Sequence, residues 1–345
     1  MNYGEPMKSI RVKDAAGMVL CHDVTEIVPG KFKGPRFRKG HVIKNSDIEK
    51  LLDIGKRSIY VFELTKDQVH ENEAARRIAK AATGPGLFLS EPTEGKVTLS
   101  ANAKGLLKVD ASALFKINQI QDIMFATLHG NQQVTANQAV GGTRIIPLVT
   151  EEARIQRVET LCKDHFPLLQ VKSFRPHQVG LIVTGSEVFE GRIEDGFGPV
   201  VENKFKHLGS HVMGSEKVSD DADMTVKAIH DFIHKGADMI ALTGGMSVDP
   251  DDQTPASIRA AGGKVIAYGA PVLPGAMFML AYIQDIPVIG LPGCVMYHQT
   301  SIFDLVVPRL LAGESITRDD IIALGHGGFC SNCETCRYPI CPFGK

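Results

Sequence analysis

No stretch of this 345-residue chain holds the roughly 18 consecutive apolar residues that a membrane-crossing helix needs, so no membrane association is expected. The opening Met1–Pro6 has no basic stretch leading into an apolar one, so no secretory signal is read and the expected setting is cytoplasmic. Neither sign of charge is in excess. With 38 Lys and Arg against 39 Asp and Glu, the net charge of −1 argues against a general nucleic-acid binder. Cysteine is scarce until residue 330, with only Cys21, Cys162 and Cys294 before it. Seven thiols, an odd number, in a chain without an export signal argue against a disulfide framework. Internal repeats and low-complexity segments are also missing.

What is present is enough apolar sequence to bury real cores: 43% hydrophobic and 22% charged residues, over a length that suits about two domains. Three regions are expected: a mixed α+β region over 1–172, an α/β domain over 173–316, and a Cys-rich metal-binding tail over 317–345.

The first region is irregular. Gly30–Gly40 reads as strand and turn, with Lys31, Lys33, Arg36, Arg38 and Lys39 interleaved by Phe32 and Phe37. That basic cluster fits a solvated face, extra charge for an anionic ligand, or a nucleic-acid contact, the first being favoured. Ser46 is read as the N-cap of a helix with Ile48, Leu51, Leu52 and Ile54 as its buried stripe, stopped by Gly55. A strand over 57–62 and a helix over 71–82 follow. The spacing of apolar residues predicts a helix over 113–126, and 142–149 reads as a short buried strand.

The second region alternates regularly. Strands are expected at 179–183, 211–213, 237–242, 264–267 and 287–290, and helices at 200–208, 222–234 and 254–261. That order implies a three-layer α/β domain: a mainly parallel sheet with helices on both faces. In such sheets ligands bind beyond the carboxyl ends of the strands. The glycine-bearing segments 184–187, 243–247 and 291–293 each follow an apolar strand and should gather on that one edge. Glycine permits close approach of a ligand to the main chain, which outlines a phosphate site. Glu187, Asp220, Asp221 and Asp252 accompany these turns. Asp before a helix is often only a cap. Carboxylates beside a phosphate, however, need a cation between them, and Mg²⁺ takes one or two carboxylates plus phosphate oxygens and water.

Those segments carry a resemblance. Thr184-Gly185-Ser186-Glu187-Val188, Val218-Ser219-Asp220-Asp221, Thr243-Gly244-Gly245-Met246-Ser247-Val248 with Asp252-Gln253-Thr254-Pro255, and Leu291-Pro292-Gly293 stand in the order seen in the molybdopterin-binding domain. That domain is shared by molybdopterin molybdotransferases, molybdopterin adenylyltransferases and gephyrin. The resemblance covers about 178–312, and the Ser-Val pair after Gly-Gly is closest to the molybdotransferases. It implies molybdopterin, free or adenylated, as ligand. Cofactor contacts would then fall on Thr184, Gly185, Ser186, Thr243, Gly244, Gly245, Ser247, Thr254, Pro274, Gly275, Pro292, Gly293 and Cys294. Glu187, Asp220 and Asp252 would be catalytic, with Mg²⁺ on Asp220 and Asp252.

The chain departs from that pattern at several points. Ser186 stands where molybdotransferases usually carry an acid, and Leu273-Pro274-Gly275-Ala276-Met277 lacks the usual lysine and proline. Cys294 replaces the usual asparagine, and is read either as an inert buried thiol or as a contact to molybdenum or sulfur. The N-terminal Asp-Gly-Tyr-Ala motif of molybdotransferases is missing. Gly40–Ile43 with Leu51–Gly55 and Ile59–Val61 nevertheless resembles a piece of their N-terminal region. The resemblance therefore implies Mg²⁺-assisted, molybdotransferase-like processing in molybdenum cofactor biosynthesis. The alternative is a non-catalytic carrier or sensor serving a molybdoenzyme maturation partner. A homo-oligomer is expected.

The tail places Cys330, Cys333, Cys336 and Cys341 within twelve residues, followed by Pro342. Four thiolates fit a Cys₄ zinc site or a [4Fe–4S] cluster, and the consecutive CxxCxxC run with a fourth Cys before proline favours iron–sulfur.

Overall fold

The computed structural model describes residues 8–28, 32–62, 65–247, 249 and 252–345. Lys31 and Val248, named above, lie outside them. The chain forms two compact units. The first comprises the described residues of Met1–Asn102 with Val109–Leu128 and Ala136–Val171; the second comprises Ala103–Lys108, His129–Thr135 and Lys172–Lys345.

The first unit begins with strands β1 (Lys8–Arg11), β2 (Val19–Leu20), β3 (Val24–Val28) and β4 (Phe32–Phe37), helix α1 (Ile48–Asp53) and strand β5 (Ser58–Phe62). β5 pairs antiparallel with β1 and β2, and β3 with β4. A small core of Val12, Leu20, Phe37, Ile43, Leu51 and Val61 sits among them. Ser46 is not the cap of α1: it lies in a 3₁₀ turn, Asn45–Asp47, and the Asp47 carboxylate takes the Lys44 N–H at 2.9 Å instead.

Next come β6 (Gln68–His70), α2 (Glu71–Ala82), β7 (Leu87–Leu89), β8 (Val97–Ala101), β9 (Gly105–Val109), α3 (Ala111–Asn118) and β10 (Ile123–Thr127). They are followed by β11 (Gln132–Val134), β12 (Ala139–Ile145), β13 (Val149–Glu151), α4 (Glu152–Asp164) and β14 (Leu169–Ser173). α2 matches its expected span. The Arg77 guanidinium ties it to α4, reaching Glu152 and Glu159 at 2.7–2.9 Å. The helix expected over 113–126 is corrected: α3 ends at Asn118 and β10 follows. The Asn118 amide holds both the N–H and the carbonyl of Phe125. The strand expected over 142–149 is divided too, since β12 stops at Ile145 and Ile146 donates its N–H to Asp122.

The second unit is built on β15 (Gln178–Thr184), α5 (Ser186–Phe189), α6 (Gly198–His207), β16 (His211–Val218), α7 (Ala222–His234) and β17 (Met239–Thr243). It continues through α8 (Thr254–Ala260), β18 (Lys264–Tyr268), β19 (Met279–Ile283), β20 (Ile286–Leu291), α9 (Cys294–Tyr297), α10 (Ile302–Leu311) and α11 (Arg318–Ala323). Six strands form one sheet in the order β16-β15-β17-β20-β19-β18. The first four run parallel, and β19 is antiparallel to both its neighbours.

Strand residues alternate between two cores, as the period of two requires. Val179, Leu181, Ala241 and Ile289 pack with Phe205 of α6 and Phe303 of α10. Ile182, Ile240, Leu242 and Val288 pack with Ile229 and Phe232 of α7 and Ile258 of α8. Helices therefore cover both faces, giving the three-layer, mainly parallel α/β architecture.

Candidate functional site

The sheet register brings the expected ligand turns together. Thr184 stands beside Val218, Val183 beside Thr243, and Thr243 beside Leu291, so β16, β15, β17 and β20 end level with one another. Adjacent strands lie about 4.8 Å apart. The turns carrying Gly185, Gly244 and Gly293 thus leave one edge of one sheet side by side. Tyr268 closes β18 on the same edge through Met279 and Gly290, so the loop with Pro274 and Gly275 leaves from it as well.

At the centre the turns are tied by hydroxyls. Thr184 Oγ1 donates to the Thr243 carbonyl at 3.1 Å and lies 3.2 Å from Thr254 Oγ1. Thr254 in turn donates to the Gly244 carbonyl at 2.9 Å. All three threonines are buried. The glycines between them have little room: a Cβ on Gly244 would stand 2.2 Å from the Thr184 carbonyl oxygen, at a φ of 86°. Gly293 is the opposite case, since a Cβ there would meet nothing within 4 Å.

The carboxylates are distributed among different tasks. Asp220 accepts both the N–H and the hydroxyl of Ser186 at 2.9 Å, linking the ends of β15 and β16. Asp221 caps α7 by accepting the Met224 N–H at 2.8 Å. Asp252 does not cap α8; it accepts the Asp249 N–H at 3.1 Å inside the loop after β17. Glu187 stands in the first turn of α5, next to Gly185. Among the described residues no three His, Cys, Asp or Glu side chains come together as ligands for one metal ion.

Cys294 opens α9 directly after Gly293 and is partly buried. Burial pushes its thiol pKa up, against the pull of hydrogen bonds from the N–H groups of Cys294 and Val295. Pro274 accepts the Ile302 N–H at 3.1 Å, and Gly275 packs so closely on Ile302 that a Cβ would meet it at 2.5 Å. Two residues at this edge carry no expected role from the sequence, although Met246 lies within the Thr243–Val248 motif. Met246 lies over Gly290, and Tyr268 places its ring under the Arg259 guanidinium, with its hydroxyl 3.5 Å from the Ser247 carbonyl. Tyr268 had only its position at a strand end as a sequence signal.

The tail cysteines stand elsewhere on this unit. Cys330, Cys333, Cys336 and Cys341 all line one cavity of about 320 Å³, together with Tyr297 and Thr300. Of the basic cluster, Arg36, Arg38 and Lys39 line a separate cavity of the first unit, with Glu71 and Glu94 among the lining residues.

In open α/β sheets the carboxyl edge, where these glycine turns meet, is the place where ligands bind. Within the second unit, residues 180–312 match the family described as a probable molybdopterin binding domain. Residues 9–63, which include the stretch 40–61, match instead a domain of unknown function (DUF8806).

The chain is 27% identical over 131 residues to the molybdopterin molybdenumtransferase of Staphylococcus aureus (strain COL), covering 36% of this chain and 31% of that protein. It is 27% identical over 153 residues to that of Bacillus subtilis (strain 168), covering 42% and 35%. The similarity thus spans about a third of the length of these relatives. Among solved structures, the tungsten cofactor synthesizing protein MoaB from Pyrococcus furiosus is 22% identical, covering 40% of this chain and 96% of that one, with a TM-score of 0.33. The molybdopterin biosynthesis enzyme MoaB from Thermus thermophilus is 18% identical, covering 40% and 98%, also with a TM-score of 0.33.

Proposed function

We propose that the carboxyl edge of the second unit binds molybdopterin, free or adenylated, by its phosphate end and processes it in molybdenum cofactor biosynthesis in a molybdotransferase-like manner. The observation that carries this reading is the level termination of β15, β17 and β20. It sets Gly185, Gly244 and Gly293 side by side where such sheets hold ligands. Gly293 supplies open space for close approach to the main chain, while Thr184 and Thr254 brace the turns behind it. Thr243, Gly245, Ser247 and Pro292 belong to the same turns, and Pro274 and Gly275 to the neighbouring loop.

In this reading Asp220 and Asp252 would hold a Mg²⁺ ion, and Glu187, in the first turn of α5, would serve as a proton acceptor. The ion supplies charge neutralisation and polarises a phosphate oxygen. The chain's own part is to fix the phosphate and exclude alternatives of register. Asp220 has a free lone pair for an ion, because Ser186 engages only Oδ2.

A non-catalytic carrier or sensor, delivering the pterin to a molybdoenzyme maturation partner, is the second reading. The observation favouring it is that same Ser186–Asp220 pair: a hydroxyl occupies the usual place of an acid and ties up half of the carboxylate.

The two readings part in one experiment. The full chain is incubated with adenylated molybdopterin, Mg²⁺ and molybdate, and both bound pterin and released AMP are measured. Bound pterin with AMP release that falls in Asp252→Asn supports the processing reading. Bound pterin with background AMP leaves the carrier. No pterin binding at all removes both.

A further inference from the structure

The four tail thiols are the largest concentration of metal-binding chemistry in the chain, and the glycine edge makes no use of them. They do not lie on a loose end. The Gly344 N–H donates to the Gly327 carbonyl at 2.9 Å, closing residues 327–344 into a loop. That loop is anchored on the domain at several points. The Leu273 N–H donates to the Gly328 carbonyl and the Cys330 N–H to the Leu273 carbonyl, both at 2.8 Å. Phe343 is buried in the same core as Phe303, and the Tyr338 hydroxyl donates to the Asp304 carbonyl at 2.9 Å. Gly327 suits the closure because its φ is 88° and a Cβ would stand 2.1 Å from the Lys345 carbonyl oxygen.

The anchored loop brings its four cysteines to the wall of one cavity. All four border the same cavity of about 320 Å³, and all four are free of disulfides. Cys330 and Cys341 are partly buried, whereas Cys333 and Cys336 are exposed. The Thr300 hydroxyl stands 3.1 Å from the Cys336 sulfur. No three of these thiols converge as they would on one ion. In a zinc site all four sulfurs stand about 2.3 Å from a single point. In a cubane cluster each thiolate binds a different iron, so the sulfurs surround a volume instead. The consecutive run C-x2-C-x2-C-x4-C-P favours the second arrangement.

We propose that Cys330, Cys333, Cys336 and Cys341 bind a [4Fe–4S] cluster in this cavity. Each thiol loses one proton as its sulfur bonds to one iron, with no change in the oxidation state of the core. The cavity wall includes Tyr297, the last residue of α9, and Thr300 just beyond it, and α9 itself begins at the Gly293 turn. Four residues of helix span about 6 Å. The cluster is therefore a close neighbour of the glycine edge, although its binding does not depend on what that edge holds.

The test uses the full chain, purified without oxygen or reconstituted with iron, sulfide and a thiol reductant. About four irons and four sulfides per chain are expected, with broad visible absorbance that bleaches on reduction by dithionite. The Cys333→Ser/Cys336→Ser variant removes two exposed ligands, so its far-UV circular dichroism should match the parent while bound iron falls about tenfold. One zinc per chain without sulfide overturns the proposal. So does a chain that takes up no metal, one whose thiols pair as disulfides without oxygen, or a double variant that keeps the parent's iron.

Discussion

At the scale of single residues, two glycines of the same edge do opposite things. Gly244 is closed to any side chain by the Thr184 carbonyl and also has a left-handed φ, so Gly244→Ala combines a clash with backbone strain. A loss of about 2 kcal/mol or more is expected in urea unfolding, together with disturbance of the Thr184–Thr254 brace. Gly293 has an ordinary φ of −51° and open space where a Cβ would go. Gly293→Leu should therefore unfold at the parent's denaturant midpoint while binding molybdopterin more weakly, as read by titration. Equal affinity in that variant would place the phosphate away from this turn. The sequence shows both positions simply as Gly after a strand. Which one serves packing and which leaves room depends on neighbours far along the chain, such as Thr184 for Gly244. The acids show the same gap. Asp220, Asp221 and Asp252 look alike in sequence, yet one clamps Ser186, one caps α7 and one closes its own loop.

At the scale of elements, legibility follows how strongly a local pattern contradicts its alternatives. α2 is readable because Ala74, Ala75, Ile78, Ala79 and Ala82 repeat at helical spacing up to a Gly-Pro-Gly stop. The strands of the second unit are readable because both faces are covered, leaving continuous apolar runs. α3 overruns its true end in the sequence because Ile117, Ile120 and Ile123 continue a helical spacing. Ile123 and Phe125 already belong to a strand, and the change of direction is made by Asp122 at a φ of 71° and by the Asn118 bridge. Nothing in the periodicity marks that turn.

α11 shows a further case. Its capping box is visible as Thr317 and Asp320, but the Arg309 guanidinium that reaches Asp320 from α10 at 2.6 Å is not. Burial pushes the Asp320 carboxyl up, yet hydrogen bonds from Thr317 and Arg309 outweigh it and hold the pKa at about 2. The unfolded value is about 3.9. The folded pKa is the lower one, so this stabilisation is complete above about pH 5 and is lost as pH falls through about 4 to 2. After solvent screening, Asp320→Asn should cost about 1 kcal/mol at neutral pH, and the gap to the parent should close towards about pH 2. Urea midpoints across that range measure it; a gap that stays constant with pH would assign the loss to packing.

At the scale of the whole molecule, the two units offer an internal comparison for the cluster. A ligand that binds only the folded state stabilises whatever must be folded to hold it, by mass action. The thiol cavity is formed by 297–300 and the closed loop 327–344, both within the second unit. The loop's apolar anchors are few, chiefly Phe343 and Tyr338, so without the cluster it depends on a handful of main-chain hydrogen bonds and should open at low cost. Loading four irons adds four covalent ties across 330–341, and the amides of 297–300 and 327–345 should then exchange several-fold more slowly. α2 and α4 of the first unit, held by Arg77 between Glu152 and Glu159, contribute nothing to the cavity and should exchange at unchanged rates. Hydrogen exchange of the loaded and iron-free chain measures both at once. Slowing spread evenly over the two units would mean that iron acts on the chain generally, and slowing confined to the loop and its 297–300 wall would mean that the tail is a site.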